Sequence, residues 1–193
     1  KSPNLQYHFL PLAINYDGSS PHRGDGFQFH VGTMRSKSRG FVAIKNADPQ
    51  NSPTIKFNYL SHSDDLKDFR NAIRITRNIL GQSAFKDYAG EEIQPKAMLK
   101  SNRELDEFIK SSVESAFHPC GTCKMGDPAD KETVVTPECK VNGVENLFCA
   151  DSSIFPSITN GNLNAPSIMV GEKAVDHILN KPLLPKENLV PYN

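Results

Sequence analysis

The spacing of apolar residues changes once along this chain, near residue 60, and that change limits the fold more than any other feature. Before it, apolar residues alternate. Leu5, Tyr7 and Phe9 fall on one side of an extended segment, with Gln6, His8 and Leu10 on the other. Residues 27–31 alternate again and set His30 opposite Phe27 and Phe29. Ser36 to Gly40 reads as a turn. Residues 41–45 and 54–59 read as two further strands, separated by turn chemistry at Asp48-Pro49 and Ser52-Pro53. These strands suggest an antiparallel sheet.

After residue 60 the period becomes helical. Leu66, Phe69, Ile73 and Leu80 form one stripe. Asp64 and Asp65 sit in the first turn, where carboxylates suit the helix dipole, and Gly81 can end the helix. Ser101-Asn-Arg-Glu104 is a capping box that opens a second helix, lined by Leu105, Phe108, Ile109 and Val113. That helix is predicted to run into Phe117 and to stop at His118-Pro119, because a residue before proline is pushed out of helical geometry. A polar, loop-like stretch follows, with short extended pieces at 133–135 and 139–141. Leu147 to Ala150 is an apolar run of the length of a buried strand. A loop from Asp151 to Asn164 leads to a third helix near Pro166, with Ile168, Ala174 or Val175, and Ile178 on its buried side. The fold class is α+β: an antiparallel sheet covered by helices, then one more strand and helix.

Composition excludes several classes. Lys plus Arg and Asp plus Glu both number 22, so formal net charge is zero and there is no electrostatic footprint for nucleic acid or an anionic membrane. No apolar run approaches the ~20 residues of a membrane span. At 37% hydrophobic and 23% charged, the chain can build a core. The four cysteines are expected as reduced thiols, which suits a cytoplasmic setting. The first residue is Lys1, with no initiator Met, so the start is expected to be a cut end.

Three clusters carry chemistry. His118 is fixed by the following proline, and an imidazole can take and return a proton near neutral pH. Taken alone, it reads rather as a surface or core histidine near a helix end, where the dipole favours it. Asn160-Gly-Asn162-Leu-Asn164 leads into a helix and offers amides and free N–H groups to a polar ligand, although Asn is also a common cap and turn residue. Cys120-Gly-Thr-Cys123 has the spacing of a redox dithiol or half a zinc site. With no second such pair, no metal site is expected, and the thiols read as packing groups.

Taken in order, these strings resemble the glucose–methanol–choline (GMC) oxidoreductase family. His118-Pro119 with Gly121-Thr122 and Met125-Gly126 is similar to the signature around that family's active-site histidine. Val141 to Val144, Leu147 to Ala150, Asp151-Ser-Ser153 and Pro156 resemble its second C-terminal signature. So does Asn162-Leu-Asn164-Ala-Pro166, which leads to Met169 and Glu172. Pro3 to Pro11, Met34 to Gly40, Asp68-Phe-Arg70 and Phe117 to Gly126 are similar to its choline-oxidising branch.

The resemblance implies an FAD enzyme that oxidises choline to betaine aldehyde by hydride transfer. It implies His118 and Asn162 as the catalytic pair, His8 as a substrate contact, and Asp151 and Asn164 at the FAD. It further implies a substrate-binding domain at 1–125, a segment at 126–180 that contributes to an α/β FAD domain, and a tail at 181–193. The N-terminal G-x-G-x-x-G part that would bind most of the FAD is absent from this sequence. The isolated chain is therefore expected to be inactive and without FAD. Its exposed apolar face is expected to pair with a neighbouring chain, and the intact enzyme to associate peripherally with the inner membrane. Competing readings are another alcohol as substrate, a non-catalytic interaction domain, and a thiol or zinc module on Cys120 and Cys123.

Overall fold

The computed structural model describes residues 3–15, 18–19, 24–182, 184–185 and 187–188. The loop expected from Asp17 to Gly26 and the expected tail lie partly outside these residues. The described chain falls into two compact units, one of residues 4–116 and one from residue 117 onward together with Pro3.

The first unit begins with a hairpin. Strand β1 (Leu5–Leu10) pairs antiparallel with β2 (Gln28–Thr33), with Tyr7 opposite Val31, His8 opposite His30 and Leu10 opposite Gln28. The alternation in the sequence becomes two distinct faces. Tyr7, Phe9 and Phe29 share one face and cluster with Phe27 and Phe85, at ring separations from 5.3 to 6.3 Å. The Tyr7 hydroxyl donates to the carbonyl of Ala72 and accepts from the Thr76 hydroxyl, which seats this face on the first helix.

Strands β3 (Phe41–Ala43) and β4 (Thr54–Lys56) form a second antiparallel ribbon. The four strands thus make two ribbons where one sheet was expected. Strand β4 ends before Tyr59 because Asn58 and Leu60 take left-handed backbone, at φ 53 and 60. The ribbon needs Gly40 beside it, since a Cβ there would overlap the carbonyl of Lys56.

Helix α1 (Ser63–Leu80) is capped by the His62 ring, whose Nδ1 accepts from the backbone N–H of Asp64 at 3.2 Å. Helix α2 (Asn102–Ser112) opens with the capping box foreseen at Ser101 and Glu104. Leu105 and Ile109 are buried with Ile73, and Leu66, Phe69 and Phe108 pack around them. Arg70 pairs with Asp106 at 2.6 Å across the two helices. Arg77 forks onto both oxygens of Glu92 and donates to the Leu99 carbonyl, which ties the intervening segment down.

Helix α2 does not reach Phe117. The Ser111 hydroxyl bonds back to the Phe108 carbonyl, and the β-branched Val113 turns extended at φ −68, ψ 133. His118 therefore does not sit at a helix terminus.

The second unit is built on Val135, Cys139, Ile154, Phe155, Leu163, Val170 and Ala174. Leu147 to Ala150 makes one isolated bridge, Lys140 to Phe148, in place of the expected strand. A short run needs a ladder of partners to be a strand, and here it has one. Helix α3 spans Asn164–Ile178. Its buried residues are Val170 and Ala174, while Ile168, Val175 and Ile178 are 59%, 45% and 43% exposed. The helix is apolar on two sides, so period alone did not select the face that packs on this unit.

Candidate active site

The backbone places His118. Phe117 takes a left-handed conformation at φ 57, and the string after Pro119 runs alongside residues 152–154. The N–H of Gly121 donates to Ser152, that of Cys123 to Ser153 and that of Met125 to Ile154, at 3.2, 2.8 and 2.8 Å. These bonds join the two motif strings into one platform. Gly121 is required there. Its φ is 86, and a Cβ would stand 3.1 Å from the Phe155 carbonyl oxygen. Gly121→Ala is expected to cost about 1–3 kcal/mol and to lower the thermal midpoint of the chain; an unchanged midpoint would count against the platform.

His118 and Asn164 line one open pocket of about 340 Å³, together with Phe117, Pro119, Ser152, Leu163 and Ser167. His118 is half-buried and Asn164 exposed. Leu163 is buried and anchors the wall, and the Ser167 hydroxyl donates to its carbonyl at 2.7 Å. The flanking Asn162 is exposed and is not one of the wall residues. Asp151 adjoins Ser152. Its carboxylate accepts from the Ser153 backbone N–H at 2.7 Å, and the Ser153 hydroxyl and N–H hold it below the usual carboxylate range. His8 lies in the first unit, exposed on β1. Sequence reasoning missed Ser152 and Ser167. Ser167 was legible as the residue one turn after Asn164, on the same helix side.

Three of the four thiols pack in the core of the second unit. Cys139 is buried in the core, with Cys120 and Cys149 against it. Burial, and then the neighbouring Cys123, push the Cys149 thiol up. Among the described residues, no three His, Cys, Asp or Glu side chains group as metal ligands.

A family model described as GMC oxidoreductase matches residues 36–171. The chain belongs to the GMC oxidoreductase family. It is 60% identical over 190 residues to the oxygen-dependent choline dehydrogenase of Brucella ovis, covering 98% of this chain and 35% of that protein. The GMC chain thus spans about a third of the length of such relatives. Among solved structures, formate oxidase of Aspergillus oryzae RIB40 is 29% identical with a TM-score of 0.84, over 93% of this chain and 32% of that one. An FAD-dependent oxidoreductase of Chaetomium thermophilum is 26% identical with a TM-score of 0.74, over 82% and 27%.

The donors at this GMC pocket fit the polar edge of a flavin. Helix α3 starts without a side-chain cap, so its first N–H groups offer themselves to an acceptor. Asp151 keeps lone pairs beyond those its Ser153 partner uses, which suits a hydroxyl-bearing chain.

Proposed function

We propose that this chain is the C-terminal, substrate-side portion of an FAD-dependent alcohol oxidoreductase acting on choline. The observation that carries the reading is the pocket shared by His118 and the first turn of α3. The 60% identity to an oxygen-dependent choline dehydrogenase supports choline as substrate and oxygen as final acceptor.

In the intact enzyme, an imidazole nitrogen of His118 takes the hydroxyl proton and stabilises the developing alkoxide. The Asn162 carboxamide holds the same oxygen by donating a hydrogen bond, and His8 contacts the substrate. Asn164 and the α3 N-terminus would hold the cofactor ring, and Asp151 would hold its hydroxyl-bearing chain. Bound FAD supplies the acceptor for the hydride that leaves the alcohol carbon. The exposed apolar side of α3 (Ile168, Met169, Val175 and Leu179) is where the remainder of the protein, or a second copy, packs. No helix among the described residues is long and apolar enough to cross a membrane.

The deciding experiment is an alcohol screen on the full-length flavoprotein with oxygen uptake as readout. Choline is expected to give the highest kcat/KM, with one oxygen consumed per aldehyde formed. A different alcohol turned over in preference to choline would retain the family chemistry and overturn the substrate.

A further inference from the structure

Cys123 and Cys149 are distant in sequence but meet on the platform. The N–H of Cys123 donates to the Ser153 carbonyl at 2.8 Å, and that of Cys149 to the Cys139 carbonyl at 3.0 Å, so both backbones are held. Their side chains hydrogen-bond to each other. Sulfurs in such contact are within a side-chain rotation of S–S bonding distance, about 2.05 Å. No disulfide joins them. Both are partly exposed, so a small oxidant reaches them, whereas Cys139 is 2% exposed. Sequence spacing paired Cys123 with Cys120; the fold adds Cys149 as a partner from a second string.

One oxygen consumed per aldehyde is two electrons per oxygen, so hydrogen peroxide is the co-product of the proposed turnover. Peroxide converts one thiol to a sulfenic acid: its O–O bond breaks, an S–O bond forms and one water leaves. The other thiol then displaces that hydroxyl as a second water, and the S–S bond forms. In all, the two thiols lose two electrons and two protons, and one peroxide takes them up. The competing account is two thiols that only pack. With no neighbour to capture it, a sulfenic acid goes on to sulfinic and sulfonic acid, and no link forms.

We propose that Cys123 and Cys149 are a modification site, at which hydrogen peroxide from the enzyme's own turnover closes a disulfide between the string that carries His118 and the segment that leads into Asp151 and Ser152. The source of the peroxide rests on the reading that oxygen is the final acceptor; the thiol pair does not. The disulfide makes permanent a junction already drawn by the backbone bonds of residues 121–125 to 152–154.

The test uses the full-length flavoprotein, reduced, freed of reductant and then treated with hydrogen peroxide. Remaining thiols are alkylated before digestion with trypsin. Peptide 111–124, which holds Cys120 and Cys123, is expected to be joined to peptide 141–173, which holds Cys149. The join should cost about 2 Da, for the two hydrogens lost, and dithiothreitol should reverse it. Fragmentation of the joined peptides should place the link at Cys123. Cys120→Ser should keep the link, and Cys149→Ser should abolish it. A link at Cys120 or Cys139 in the wild type, or sulfinic and sulfonic acids with no link, overturns the proposal. A second arm supplies choline and oxygen in place of peroxide. The same link is expected, and catalase should prevent it. Oxygen uptake without the link overturns oxidation by the enzyme's own turnover. No oxygen uptake would instead sink the oxidase reading, while added peroxide would still decide the thiol pair.

Discussion

Replacing His118 by Ala in the full-length enzyme is expected to lower kcat about 10²–10⁴-fold while FAD stays bound. The size follows from the role. The imidazole is assigned the proton that must leave before hydride can, and nothing else lining the pocket is a base of comparable strength. The substitution is also clean. His118 is held by the left-handed backbone at Phe117, and the platform beyond it by N–H groups of Gly121, Cys123 and Met125. None of these bonds involves the side chain, so removing the ring leaves the pocket wall in place. A flavin absorbance band of unchanged intensity would verify that. Loss confined to the chemical step should reduce kcat and kcat/KM in equal measure. A variant with flavin bound and kcat within about threefold of wild type would remove His118 from the mechanism.

Much of the first unit was legible in the sequence because local rules decide it. The period-two alternation of Leu5, Tyr7 and Phe9 gave the strand and its two faces, and the structure shows that Tyr7's face meets α1. The capping box at Ser101 and Glu104 formed as read. The errors cluster where a choice depends on something remote or absent. Helix α3 carries apolar residues on two sides, and only one of them has a partner in this unit. Helix α2 stopped early because Ser111 and Val113 offered its last turn alternatives to the helix. The candidate site was reached by a different route, the order of short strings rather than periodicity, and of its five residues the structure brings His118 and Asn164 to one pocket and leaves His8, Asp151 and Asn162 off its wall. Backbone bonds join residues 121–125 to 152–154, so two of those strings meet in space.

Asp65 is the clearest case of a remote determinant, and it carries the second large expected effect. From sequence it was one of two acidic residues suited to a helix start. In the structure the two divide their roles. Asp64 pairs with Lys37 at the surface, whereas Asp65 is 2% exposed. Its carboxylate accepts from the Ser36 and Ser38 hydroxyls and from the backbone N–H groups of Lys37 and Ser38. The segment read as a simple turn is therefore a loop wrapped around one buried anion. Asp65→Ala would leave these donors facing a void, and a loss of about 3 kcal/mol in unfolding free energy is expected. The pH dependence has a definite sign. Burial raises the proton affinity of Asp65, but the bonds from Ser38, Lys37 and Ser36 outweigh it, so the folded carboxyl titrates below the usual carboxylate range. A group lowered on folding contributes stability that is complete above its unfolded value, about 4, and is lost as pH falls through the folded one. Asp65→Asn keeps the shape and one acceptor oxygen but turns two donors toward donors. Its deficit against wild type should be largest at neutral pH and should shrink below about pH 4, as the wild-type carboxyl takes up its proton. Urea unfolding of both chains at neutral and acidic pH measures this difference. A deficit that stays constant across that range would mean that the loop is held by shape rather than by the charge of Asp65.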